Sequence, residues 1–191
     1  MKADMGRVVK LRGDLKERIG GDVPYDAIFV KAVAQALREH PYMNATLEGD
    51  EIRLFEDVNI GVAMDVGEGL IVPVVKGADK KSLEDLVAEV SRLAGKARDG
   101  SLSMEEVTGG TFTITNLGMY RVEAFTPLVN PGETAILGIG RIGEEVTAIE
   151  GEISTRLTAT LSLTFDHRIV DGAQAARFLK RLCEILEEIE G

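Results

Sequence analysis

From Leu157 to Phe165 the chain alternates without a break. Leu157, Ala159, Leu161, Leu163 and Phe165 are apolar, and the intervening Thr158, Thr160, Ser162 and Thr164 all carry hydroxyls. A β-strand sends successive side chains to opposite faces, so this stretch has one face to bury and one to hydrate. It must therefore lie in a sheet with apolar cover on one side. The strand runs directly into Asp166, His167, Arg168, Asp171 and Gly172, and a helical pattern from about 172 to 189 follows. A polar cluster held between a rigid strand and a helix is well placed for chemistry.

The cover comes from segments of a different period. Val8, Leu11, Leu15 and Ile19 recur at three- and four-residue spacing, which predicts a helix over 4–19 that Gly20-Gly21 ends. A second helix carries Phe29, Val33 and Leu37 on its buried stripe, with Pro24 in its first turn and His40-Pro41 as its stop. A third, capped by Ser82, runs to about residue 98 and buries Leu83, Leu86, Val87, Val90, Leu93 and Ala97. Between them "ATLEGDEIRLF" reads as a hairpin, and "NIGVAMDV" and "LIVPVV" read as strands around a Gly67-Glu68-Gly69 turn. "GTFTITNLG", "ETAILGIG" and "EEVTAIEGE" add more strands. The expected class is α/β of the mixed α+β kind, a mixed sheet covered by helices. No repeat, linker or low-complexity tract divides it, so residues 1–191 are expected to form one domain.

The formal charge of -10 argues against a nucleic-acid or membrane-surface partner, since those need clustered Lys and Arg. No apolar run reaches the roughly 18 residues of a membrane span, and the first residues do not read as a signal peptide, so the expected compartment is the cytoplasm. A single cysteine, Cys183, offers neither an internal disulfide nor a metal quartet, and no HxH, HExxH or CxxC is present. No metal is expected. Cys183 shares a helical face with Leu179, Leu182 and Leu186 and reads as a core thiol. Gly138, Gly140 and Gly143 spell GxGxxG, but a dinucleotide turn must open a helix. Here strands continue around a Glu150-Gly151 turn, so a β-turn is expected. His40 reads as a structural residue at a helix end.

In the cluster at the end of the long strand, histidine is the residue type that titrates near neutrality, which makes His167 the natural general base. Asp171 can start the last helix and orient or charge-balance its neighbours, with Gly172 permitting a tight turn. On the residues alone a second reading stands beside this one, in which Asp166, Arg168 and Asp171 form a helix-capping ion-pair group around a structural histidine.

"DHRIVDG", residues 166–172, resembles the DHRxxDG signature of the dihydrolipoamide acyltransferases, the core components of 2-oxo acid dehydrogenase complexes. "NIGVAMDVGEGLIVPVVKGADKKSLEDLVAEV", "GGTFTITNLGMY" and "FTPLVNPGETAILGIGRI" resemble the catalytic domain of that family in order and spacing, over essentially the whole chain. The resemblance implies the coenzyme A-dependent acyltransferase fold shared with chloramphenicol acetyltransferase. It implies acyl transfer between the thiols of dihydrolipoamide and coenzyme A, with His167 as base and the Thr115 hydroxyl, more often Ser in the family, stabilising the oxyanion. It also implies a homotrimer with His167 and Thr115 supplied by different chains, a lipoyl group carried by a separate lipoyl domain, and the dehydrogenase components as partners.

The family's domain normally starts with a basic helix and a strand ahead of "DMGRVVKLR", so the expectation is a catalytic domain lacking these, with no lipoyl or subunit-binding domain. The acidic tail "CEILEEIEG" favours a trimer over a cage, and Arg121 stands where the family often has Gly. The stretches around Thr115 look closer to the acetyl or branched-chain members. Two rivals are an O-acetyltransferase of the same fold, whose signature is usually HHxxxDG, and an assembly core without activity.

Overall fold

The computed structural model describes residues 1–67, 69–149 and 151–190. Glu68 and Glu150, each expected in a turn, lie outside the described residues. In chain order the elements are β1 (Lys2–Asp4), α1 (Gly6–Ile19), α2 (Tyr25–Glu39), β2 (Ala45–Glu48), β3 (Glu51–Leu54), β4 (Ile60–Asp65), β5 (Leu70–Ile71) and β6 (Val74–Val75). There follow α3 (Leu83–Arg98), β7 (Phe112–Asn116), β8 (Ala135–Ile139), β9 (Gly143–Ile149), β10 (Glu152–Phe165) and α4 (Gly172–Glu188). Among the described residues no helix is long and apolar enough to cross a membrane.

The sheet is mixed, as the sequence predicts. Its strand order is β1-β10-β8-β7-β4-β5, with β9 on β10 and β6 on β4, while β2 and β3 form a separate hairpin. β4, β7 and β8 run parallel and the outer pairings are antiparallel. β10 is the long alternating strand, and its apolar residues Leu157, Ala159 and Leu161 lie in or against one core with Ile60, Val62, Phe112, Ile114, Leu137 and the inner faces of all four helices. α2 packs on β4 and β7, and α4 on β1 and β10. α3 is held at its start by a reciprocal cap: the Asp85 N–H donates to Ser82 Oγ and the Ser82 N–H to the Asp85 carboxylate.

Three local departures from the sequence pattern have physical causes. The first helix begins at Gly6, because residues 2–4 pair with Thr158–Thr160 of β10 and Asp4 Oδ1 accepts the Gly6 N–H at 2.8 Å. "LIVPVV" breaks into β5 and β6 at Pro73, which has no N–H to give; the ladder continues there through Val62 N–H donating to the Pro73 carbonyl at 2.9 Å. α2 is buried well beyond one stripe, since Ala27, Ala32, Ala34 and Ala36 are small enough to pack closely under α3 and α4.

The face of the sheet away from the helices is crossed by the irregular segment 121–133. The Arg141 N–H donates to the Val122 carbonyl at 2.8 Å, and Phe125 and Pro127 lie over Gly138. A Cβ at Gly140 would stand 2.0 Å from the Glu123 carbonyl oxygen, so only glycine fits beneath the segment. This accounts for Gly138 and Gly140 of the GxGxxG spacing, and its third glycine, Gly143, begins strand β9 where a dinucleotide turn would open a helix. Arg121 enters the segment with φ 62, the left-handed conformation that favours glycine, and its guanidinium makes no hydrogen bond or ion pair among the described residues.

Candidate active site

β10 ends at Phe165, and the Asp166 N–H donates to the Thr134 carbonyl at 2.8 Å, one step beyond the β8 ladder. The chain then turns through Asp166–Val170, with the N–H groups of Ile169 and Val170 both donating to the Asp166 carbonyl. Ile169 and Val170 are buried, which leaves His167 and Arg168 exposed at the tip. The His167 ring rests on the Phe165 ring, centroids 4.8 Å apart, and takes part in no hydrogen bond among the described residues.

Neither nearby carboxylate hydrogen-bonds that imidazole. Asp166 accepts from the Arg168 guanidinium at 2.6 to 3.1 Å, which holds its carboxyl below the usual aspartate range. Asp171 caps α4: its Oδ1 accepts from the Gln174 N–H at 2.7 Å while Gln174 Oε1 accepts from the Asp171 N–H. Both aspartates thus build the turn and the helix start, and the free group they present is the imidazole.

Thr115 lies near the end of β7, between Ala63 of β4 and Gly138 of β8, and is half-buried. Its row, Ala63, Thr115, Gly138 and Ser162, belongs to the face opposite the helices. The Thr115 hydroxyl has no hydrogen-bond partner among the described residues. Thr115 also borders a cleft of about 560 Å³, together with Asp26, Met64, Ala94, Asn116 and Tyr120.

One chain does not bring these two groups together. Thr115 sits beside Gly138 and Phe165 beside Ala135, at opposite ends of β8 and two strands apart. With a rise of about 3.3 Å per residue and a strand spacing of about 4.8 Å, the two backbone positions are roughly 14 Å apart, and His167 continues away from Thr115. Direct cooperation between the imidazole and the hydroxyl therefore requires a second chain.

The sequence model for the 2-oxoacid dehydrogenases acyltransferase (catalytic domain) matches residues 1–191. The chain belongs to this acyltransferase family. Among curated relatives it is 40% identical over 191 residues to the dihydrolipoyllysine-residue succinyltransferase component of a 2-oxoglutarate dehydrogenase complex from Rickettsia bellii, covering 98% of this chain and 48% of that protein. It is 42% identical over 193 residues to the dihydrolipoyllysine-residue acetyltransferase component of the Bacillus subtilis acetoin cleaving system, again covering 98% of this chain and 48% of that protein. The chain thus spans about half the length of the curated relatives it matches, and succinyl- and acetyltransferases resemble it equally.

Solved structures agree on the fold of the acyltransferase domain. A probable dihydrolipoamide acetyltransferase from Listeria monocytogenes superposes with a TM-score of 0.95 at 38% identity, covering 100% of this chain and 83% of that one. The dihydrolipoamide acetyltransferase of Azotobacter vinelandii, in which a serine, a histidine and an asparagine have been studied for their role in the catalytic mechanism, superposes at 0.93 with 37% identity, covering 98% and 79%. Chloramphenicol acetyltransferase shares the fold alone, at 0.59 and 13% identity over 97% of this chain and 86% of that one.

Two polar pairs in the acyltransferase domain carry no signal in the sequence, because their members are far apart along it. Asp26, in the first turn of α2, accepts from Asn116 Nδ2 at 2.8 Å. Glu133, at the end of the crossing segment, accepts from the Thr113 hydroxyl at 2.8 Å, and Asn130 donates to the same hydroxyl oxygen at 2.9 Å. Glu133 Oε2 is buried without a partner among the described residues, and burial raises this carboxyl from 4.5 to about 6. A raised acid favours folding while protonated, so this contribution is full below about pH 4.5 and is lost as pH rises through about 6. Replacing Glu133 by Gln is expected to abolish that loss, which amounts to at most about 2 kcal/mol. Urea unfolding at pH 5 and pH 7.5 checks this: the wild type should weaken relative to the variant at the higher pH, and parallel behaviour would contradict it.

The remaining candidates are structural. Cys183 is buried in the core, and burial pushes its thiol up to about 11. His40 terminates α2 without a side-chain cap; its ring stands edge-on to Phe178 at 5.8 Å, and burial lowers its pKa.

Proposed function

We propose that this domain transfers acyl groups between the thiol of dihydrolipoamide, carried on a separate lipoyl domain, and coenzyme A, within a 2-oxo acid dehydrogenase complex. The observation that carries the reading is a match of intervals. The serine, histidine and asparagine studied in the Azotobacter vinelandii enzyme are spaced along their chain as Thr115, His167 and Asp171 are along this one. Thr keeps the hydroxyl of Ser and adds a methyl; Asp keeps the helix-capping oxygen of Asn and adds charge.

His167, exposed at its turn, takes the proton from the coenzyme A thiol, since the thiolate is the effective nucleophile and a free thiol is mostly protonated at neutral pH. Sulfur then attacks the thioester carbon of acyl-dihydrolipoamide. The Thr115 hydroxyl of a neighbouring chain donates to the oxyanion as the carbonyl π-bond opens. When the carbonyl re-forms, the bond to the dihydrolipoamide sulfur breaks, and His167 returns its proton to that sulfur. Asp171 fixes the start of α4 and so the turn that presents the imidazole.

Because the two groups stand at opposite ends of one sheet, the working unit is an oligomer. A cyclic trimer, in which each His167 faces the next chain's Thr115, supplies three equivalent sites. Acetyl transfer from acetyl-coenzyme A to dihydrolipoamide, measured on a sample sized by light scattering, tests the reading. Transfer to the thiol is expected; transfer confined to hydroxyl acceptors, or none in an intact trimer, would overturn it.

A further inference from the structure

We propose that Asp26 is a positioning residue for the Thr115 hydroxyl, acting through Asn116; this rests on the reading of Thr115 as oxyanion donor. Asn116 follows Thr115 directly and points to the helix side of the sheet, while Thr115 belongs to the other face. Its side chain is held twice: Nδ2 donates to Asp26 Oδ1 at 2.8 Å, and Oδ1 accepts from the Gly118 N–H at 2.9 Å. The first bond ties the strand end to α2, ninety residues earlier, and the second ties it to the turn Gly118–Tyr120. Past Asn116 the ladder gives only one more bond, Leu117 N–H to the Ile139 carbonyl at 3.1 Å. Thr115 therefore stands one residue from the point where the sheet stops supporting the chain.

A threonine is stiff about χ1, so its hydroxyl goes where the backbone carries it. Displacing a reacting or stabilising group by about 1 Å can cost a hundredfold in rate. A tie at Asn116 thus has leverage on the oxyanion that a serine, free to turn about χ1, would feel less. Asp26 is also an expensive way to hold an amide. It lies partly buried against the cleft, burial raises its carboxyl, and the Asn116 hydrogen bond offsets only part of that cost. Costly buried carboxylates concentrate where geometry matters to function.

Steady-state kinetics of the 191-residue chain, with Asp26 and Thr115 varied singly and together, test the proposal. Asp26→Ala is expected to lower kcat about tenfold with less than a twofold change in KM for coenzyme A. Asp26→Asn, which keeps an acceptor oxygen for Asn116, should recover most of the loss. In a Thr115→Ala background, Asp26→Ala should have no further effect, because the group it positions is gone. Should Asp26→Ala not fold, Asp26→Leu removes the same bond without leaving a cavity and carries the same expectation. An equal fold loss in both backgrounds would overturn the proposal and leave Thr115 as donor; a Thr115→Ala enzyme with unchanged kcat would instead sink the reading of Thr115 on which it rests.

Discussion

Replacing His167 by Ala is expected to lower kcat for acyl transfer about a thousandfold, within the usual range of 10² to 10⁴ for loss of a general base. Stability should hardly move. The imidazole is exposed, makes no hydrogen bond among the described residues, and touches only the half-buried Phe165 ring among the aromatic contacts. The turn that carries it is built by other groups: buried Ile169 and Val170, the Asp166–Arg168 pair and the Asp171 cap. A truncation at an exposed site of this kind usually changes stability by less than about 0.5 kcal/mol. The thermal midpoint and the trimer should therefore match wild type while kcat collapses. An unchanged kcat would remove His167 from the chemistry and leave the turn as a helix cap.

The second large effect belongs to Thr115. Thr115→Val keeps the shape of the side chain and removes its hydroxyl, and is expected to cost about 10² to 10³ in kcat, the range for one lost oxyanion donor. KM should change little, because the donor acts on charge that develops only in the transition state. Thr115→Ser restores the hydroxyl and should return the rate to within about tenfold of wild type, the residue reflecting the freer rotation of serine. If Val and Ser variants ran equally, the hydroxyl would have no part in the reaction. Comparing kcat and KM for coenzyme A across the three chains decides between these outcomes.

Much of the architecture was legible because it is written in local periods. The alternation of Leu157 to Phe165 placed the long central strand and named the face it buries, and Ser82 marked the start of α3 at the residue where the cap forms. What stayed hidden depends on partners distant in sequence. β1 exists because residues 2–4 find Thr158–Thr160, and no pattern within three residues announces that. The segment 121–133 has no period at all; its course is set by the room that Gly138 and Gly140 leave above β8. The histidine could be singled out from its neighbourhood, whereas Thr115 is, by pattern alone, one more threonine in an alternating strand. Asp26 and Glu133 were invisible for the same reason, since Asn116 and Thr113, which give them meaning, lie ninety and twenty residues away.

The central claim is that the imidazole and the hydroxyl of one site come from two chains, and subunit complementation tests it most directly. Thr115→Ala and His167→Ala chains, each nearly inactive alone, are mixed under denaturing conditions, refolded and isolated as trimers, with mixed composition verified by mass spectrometry. In random mixtures about a quarter of the contacts join an intact His167 to an intact Thr115, so about a quarter of wild-type activity should return. Mixed trimers no more active than either variant would contradict a site shared between subunits.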